Sequence, residues 1–233
     1  SEGNELDAAI DSSDYGSWVH ALLYRFHSER SGGNDDAELR AAADAAQATL
    51  ALDSAALLPF RVAFDTFARD YLTWLREHEA EGWRFAGGEA DRRCAPPELD
   101  GVALEGRLDR IDMHSDGAAM LIDYKTGNRD KVRKRVAEPL EDTQLAFYAA
   151  LLNTEQHGAP PRAIYLSLAE REAPKPFEHD DVALSAALLI DGLSADLDAL
   201  RRGEGAPALG EGEVCETCEM RGLCRRDHWS ASA

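Results

Sequence analysis

Three residues on two short apolar stretches could do chemistry together. They are Asp109 in GRLDRID (Gly106–Asp112), and Asp123 and Lys125 in LIDYKTG (Leu121–Gly127). Ser115-Asp116-Gly117 between the stretches reads as a hairpin turn, with Gly117 suited to the left-handed position. A three-residue loop pairs position 114 with 118 and sets Asp109 opposite Asp123, whereas a two-residue loop shifts that register by one. Asp123 and Lys125, two apart on a strand, share a face in either case. A lone carboxylate there is ordinarily a solvated group with a lysine as counter-charge. Two facing carboxylates repel, and an oxygen-liganded divalent cation is the natural compensation. Beside such a cation Lys125 can hold or polarise a water, or neutralise charge developing on a phosphate. Asp123 follows Leu121-Ile122, where an apolar strand enters a core, and Thr126-Gly127 end that strand sharply.

These residues need a scaffold, and the rest of the chain supplies one. Val19, Leu22, Leu23 and Phe26 recur at helical spacing. An Ala-rich helix over 35–52 follows the Ser-Gly-Gly-Asn break at 31–34, and a third, aromatic helix runs from about Leu57 to Glu81. Trp83–Cys94, Val102–Met113 and Ala118–Tyr124 read as strands. A helix from about Leu140 to Glu155 precedes a strand at Ala163–Leu168 and an amphipathic helix over 182–202. Leu140, Gln144, Phe147, Tyr148 and Leu151 share one face of that middle helix, so Gln144 and Tyr148 look inward. The buried amide requires partners. Between Lys125 and this helix, Arg129, Lys131, Arg133, Lys134 and Arg135 stand against Asp130 alone, a charge run that reads as a solvated loop placed to contact a phosphate backbone. His20 lies one residue off its apolar stripe, and His27, one heptad on, reads as surface.

The fold class is therefore α/β: a central mixed sheet flanked by helices, with a helical N-terminal part. One domain over 1–233 is expected, made of helices (1–81), a core (82–202), and a linker with a Cys tail (203–233). The chain has 233 residues, 44% hydrophobic and 30% charged, enough for a sizeable core. With 25 basic and 44 acidic residues its net charge is −19, which argues against a protein that coats nucleic acid on its own. No run approaches a membrane span and no secretory leader opens the chain, so a cytoplasmic location is expected. The chain opens on Ser1 rather than Met, as expected of a piece of a larger protein.

GRLDRID, IDYKTG, Gln144 with Tyr148, and the Gly16–His20 segment occur in the order found in the RecB-type branch of the PD-(D/E)XK nucleases, which this chain resembles from Gly16 to about Trp229. Cys215-x2-Cys218-x5-Cys224 resembles the iron–sulfur tail of AddB-type helicase–nucleases and of CRISPR-adaptation nucleases. The resemblance implies a restriction-endonuclease-like core and a Mg²⁺- or Mn²⁺-dependent DNA nuclease, of exonuclease type, working with a helicase in double-strand-break repair. It implies a metal held by His20, Asp109, Asp123 and the Tyr124 carbonyl, with Lys125 assisting, Gln144 positioning the phosphate or Lys125, and Tyr148 supporting the strand. Its substrate would be single-stranded DNA or duplex ends. The alternatives are an inactive nuclease fold with a structural or DNA-end-binding role, and a CRISPR-adaptation nuclease. An inactive copy would more often have lost one of Asp109, Asp123 and Lys125, and the CRISPR relatives carry a first cysteine near the N-terminus that this chain lacks. In the family the tail holds a 4Fe–4S cluster together with that upstream cysteine. The expectation is thus a cluster in the intact parent protein and an incomplete site in this fragment. A Cys₃His zinc site completed by His228 comes second, and a cluster completed by Cys94 third.

Overall fold

The computed structural model describes residues 12–139, 141–153, 161–169 and 172–205. Three helices come first: α1 (Ser12–Glu29), α2 (Asp35–Thr49) and α3 (Ser54–Ala80). Asn34 caps α2 by accepting from the Ala37 N–H, and acids fill its first turn. Leu39, Ala42, Ala43 and Ala46 form its buried stripe. Their small side chains let α1 come close enough for Trp18 Nε1 to donate to the Ala43 carbonyl at 3.0 Å. On α3, Leu57, Phe64, Ala68, Tyr71 and Leu75 complete the helical half of the core.

Among the described residues five strands make one sheet in chain order: β1 (Trp83–Cys94), β2 (Leu104–His114), β3 (Ala119–Lys125), β4 (Arg162–Ser167) and β5 (Lys175–Glu178). All pairs are antiparallel except β3 and β4. That parallel pair needs a crossover, which contains α4 (Arg129–Ala137) and α5 (Gln144–Asn153). β3 is buried along nearly its whole length. Alternation along it divides the charge from the grease: Met120, Ile122 and Tyr124 join the α1–α3 core, and Asp123 and Lys125 take the other face. The helix α6 (Val182–Arg201) follows. Among the described residues one compact unit runs to Ile190 and a second begins at Asp191, within α6.

Three readings of the sequence change. The charge run after Lys125 is a helix, α4, capped by the Asn128 side chain, which accepts from the Asp130 and Lys131 N–H groups. It escaped the periodicity because Val132 is its one buried residue. The edge strand β5 contains Pro176, which an edge tolerates and a central strand does not. His27 is buried rather than surface, 2.6 Å from the Tyr71 hydroxyl and 2.7 Å from Arg110 Nη1. No helix among the described residues is long and apolar enough to cross a membrane.

Candidate active site

The hairpin adopts the three-residue-loop register. His114 N–H donates to the Ala118 carbonyl at 2.8 Å, and Arg110 pairs with Ile122. One more step in that register sets Asp109 across from Asp123. There the carboxylate of Asp109 takes over from the backbone ladder, accepting the Tyr124 N–H at 2.9 Å.

Two glycines let helices approach this end of the sheet. A Cβ at Gly16 would stand 3.3 Å from Thr126 Oγ1, so the start of α1 rests on the end of β3. A Cβ at Gly106 would meet Leu151 Cδ1 at 2.9 Å and Phe147 at 3.1 Å, so α5 lies against β2 only because that side chain is missing. His20 and Gln144 are delivered by these two approaches.

Gln144 is a clamp. Its Oε1 accepts from Lys125 Nζ at 2.8 Å, and its Nε2 donates to Asp123 Oδ1 at 2.8 Å and to the Tyr148 hydroxyl at 3.1 Å. Each end of the amide thus meets the charge that suits it. Lys125 Nζ also lies 2.6 Å from Asp123 Oδ2, forming an ion pair. The ammonium sits 4.9 Å from the Tyr165 ring centre, and Tyr165 in turn donates to Asp142 at 2.5 Å.

Across from this clamp, His20 Nε2 lies 3.2 Å from the Tyr124 carbonyl. A carbonyl only accepts, so Nε2 carries the proton and Nδ1 faces Asp109 Oδ1 at 3.4 Å and Glu89 Oε1 at 3.9 Å. Burial works against charge on His20, yet Asp109 beside it, with Asp123 and Glu89 further off, raises its pKa above the ordinary value. Burial and then the charge of Asp109 push Asp123 up to about 6, against the pull of Lys125. The same two causes raise Glu89.

The donor set fits a hard divalent cation. Ligand atoms of His20, Glu89 and Asp109 lie within 4.8 Å of one another. Three carboxylates crowd this end of the sheet, and carboxylate oxygens with one imidazole suit Mg²⁺ or Mn²⁺. Asp123 stands outside the tightest trio, held by Lys125 and Gln144. The Tyr124 carbonyl serves His20 as acceptor, which fixes the tautomer that leaves Nδ1 for a metal.

Glu89 is the residue the sequence reading missed. It sits on β1 with φ of 44°, a left-handed position unusual for glutamate, just past a register shift between Phe85 and Gly87. The signal was Gly87-Gly88 inside a strand, which marks a bulge or a close approach.

Of the five cations expected to meet DNA, Arg129 pairs with Glu172 at 2.7 Å and donates to the Ala173 carbonyl, which binds α4 to the β4–β5 connection. Arg133 pairs with Asp130 at 3.2 Å and Arg135 with Asp142 at 3.4 Å. Lys131, Arg133, Lys134 and Arg135 remain exposed. Leu140, Cys215, Cys218, Cys224 and His228 lie outside the described residues. Cys94 is buried at the end of β1, its Sγ 3.9 Å from the Ala150 carbonyl.

The family model of the PD-(D/E)XK nuclease superfamily matches residues 2–225. No curated protein matches the chain. Among solved structures it is similar to that of a proposed exonuclease from Eubacterium rectale, with 13% identity and a TM-score of 0.40 over 92% of this chain and 76% of that one.

Proposed function

The chain belongs to the PD-(D/E)XK nuclease superfamily, and from that premise we propose that it is a Mg²⁺- or Mn²⁺-dependent deoxyribonuclease of exonuclease type. The observation that carries this reading is one amide, Gln144, holding Asp123 and Lys125 together beside the His20–Glu89–Asp109 group. His20 through Nδ1, with Glu89, Asp109 and Asp123, would hold the cation. A bound cation would supply an acidified water and positive charge at the phosphate. Lys125, kept at 2.8 Å from Gln144, holds its ammonium where a water or a phosphate oxygen can accept from it. Gln144 keeps that ammonium aimed, and Tyr148, bonded to Gln144, supports the strand alongside. The exposed cations of α4 contact the phosphate backbone, a contact blind to sequence.

The reading extends to a place in double-strand-break repair, as the nuclease part of a cytoplasmic helicase–nuclease. A net charge of −19 repels DNA, so a motor partner that delivers the strand resolves the conflict. The cysteines at 215, 218 and 224 belong in this reading to a 4Fe–4S cluster of the intact protein. Purified protein with Mn²⁺ should shorten a single-stranded oligonucleotide from an end, and Asp123→Ala should not. Equal activity of the two proteins sinks the assignment.

A further inference from the structure

A cleft of about 860 Å³ opens beside the His20–Glu89–Asp109 group and runs along α1 to the end of α2 at Thr49 and Leu50. Its size is that of a site for a small organic group. Tyr24 stands on its wall, one helical turn beyond His20 on the same face of α1. Tyr15, Trp18 and Phe26 of this helix are buried, whereas Tyr24 is 41% exposed. The ring does not dangle. A Cβ at Gly88 would stand 3.3 Å from Tyr24 Cδ2 and 2.7 Å from the Asp109 carbonyl, so the ring leans on bare strand backbone next to Asp109. Glycine inside a strand weakens it, and here it seats an aromatic ring that the core does not use.

Two cations share the walls. Arg107 on β2 pairs with Asp91 at 2.8 Å, and Arg25 pairs with Glu29 at 3.1 Å. Arg107 is exposed and Arg25 half-buried, both pairs stay in contact with solvent, and such pairs hold weakly, so either can turn to a phosphate at little cost.

We propose that this cleft is a nucleotide subsite in which Tyr24 stacks the base adjoining the scissile phosphate, while Arg107 and Arg25 contact the next phosphates. The proposal rests on the nuclease reading and deepens it. Four residues of helix advance about 6 Å along the axis, close to one nucleotide step of an extended strand, so His20 and Tyr24 are spaced as phosphate and neighbouring base. A base inside a duplex has both faces covered, so the ring selects an unpaired strand.

The test is binding measured apart from cleavage. A fluorescein-labelled oligothymidine is titrated with wild type, Tyr24→Ala and Tyr24→Phe in Ca²⁺, and fluorescence anisotropy is read. Tyr24→Ala should weaken binding about tenfold, the order of one lost stacking contact. Tyr24→Phe should stay within about twofold of wild type, and affinity for a blunt duplex and the melting temperature should not change. In Mn²⁺ the alanine variant should raise KM more than it lowers kcat. Equal oligothymidine affinity of wild type and Tyr24→Ala overturns the subsite, even if wild type cleaves and the nuclease reading stands. Tyr24-dependent binding without any cleavage keeps the subsite and removes the nuclease. A wild type that binds no oligonucleotide removes the subsite.

Discussion

Asp109 and Arg110 are neighbours on one strand, and they face two opposite kinds of charge cluster. Behind the sheet, Arg110 gives Nε and Nη2 to Asp112 at 2.6 and 2.7 Å and Nη1 to the Tyr71 hydroxyl at 3.1 Å. Asp112 also receives His78 Nε2 at 2.7 Å. Trp74 and Phe85 lie against the guanidinium. Burial and the charge of Arg110 hold His27 far below its ordinary pKa, so its neutral Nε2 accepts from the arginine. Every charge there has met its match, at 1% exposure or less for Arg110 and Asp112. On the other face Glu89, Asp109 and Asp123 share one close ammonium, Lys125, an exposed Arg107 4.0 Å from Glu89 and the titratable imidazole of His20, and Asp123 is driven towards neutrality. The same residue types are scaffold where the protein satisfies them itself, and a binding site where they are left in surplus.

The largest effects should come from the surplus face. Asp109→Ala should abolish both Mn²⁺ binding, by isothermal titration, and cleavage, with the fold intact. Lys125→Ala should lower the cleavage rate by roughly 10²–10³-fold, the loss of one charge stabiliser, yet still bind Mn²⁺. Normal cleavage by Lys125→Ala would reduce its role to charge balance. Next comes the sealed face: Arg110→Met strands Asp112 in the core and should cost about 3–5 kcal/mol in urea unfolding. An unchanged urea midpoint would contradict the view of this cluster as a matched unit.

Gly106→Ala should cost about 1–3 kcal/mol by overpacking against Phe147 and Leu151. Because the shift displaces α5, cleavage should fall with it. A smaller effect tests the surplus directly. Asp123 binds its proton more tightly folded than unfolded, so wild-type stability without metal should fall as pH rises from about 4 to about 6. With EDTA above that range, Asp123→Asn should melt a few degrees higher than wild type, and Mn²⁺ should reverse the order. If the variant melts lower in EDTA, the carboxylates are not in conflict. Smallest of all, Lys131→Ala should reduce the salt slope of DNA binding by about one.

Much of the site was legible because a hairpin is local. The Ser115–Gly117 turn sets the register that brings Asp109 and Asp123 together, and helical spacing turns Gln144 and Tyr148 inward. What stayed hidden depends on distant chain. Glu89 is aimed by a register shift at Phe85 and Gly87, which no alternation pattern reveals. His27 is buried by a guanidinium 83 residues away. The helix α4 has no apolar stripe to read, since one valine anchors it.

The contact between His20 and the Tyr124 carbonyl spans 104 residues, whereas Asp109 meets Tyr124 across 15. During synthesis α1 leaves the ribosome long before β3 exists, and the hairpin can close soon after its own residues emerge. The imidazole joins the acids only when the N-terminal helix docks on a finished sheet, Gly16 against Thr126. A chain whose hairpin has closed but whose first helix has not yet docked therefore holds the acids without the histidine beside them, and the group is complete only in the folded protein.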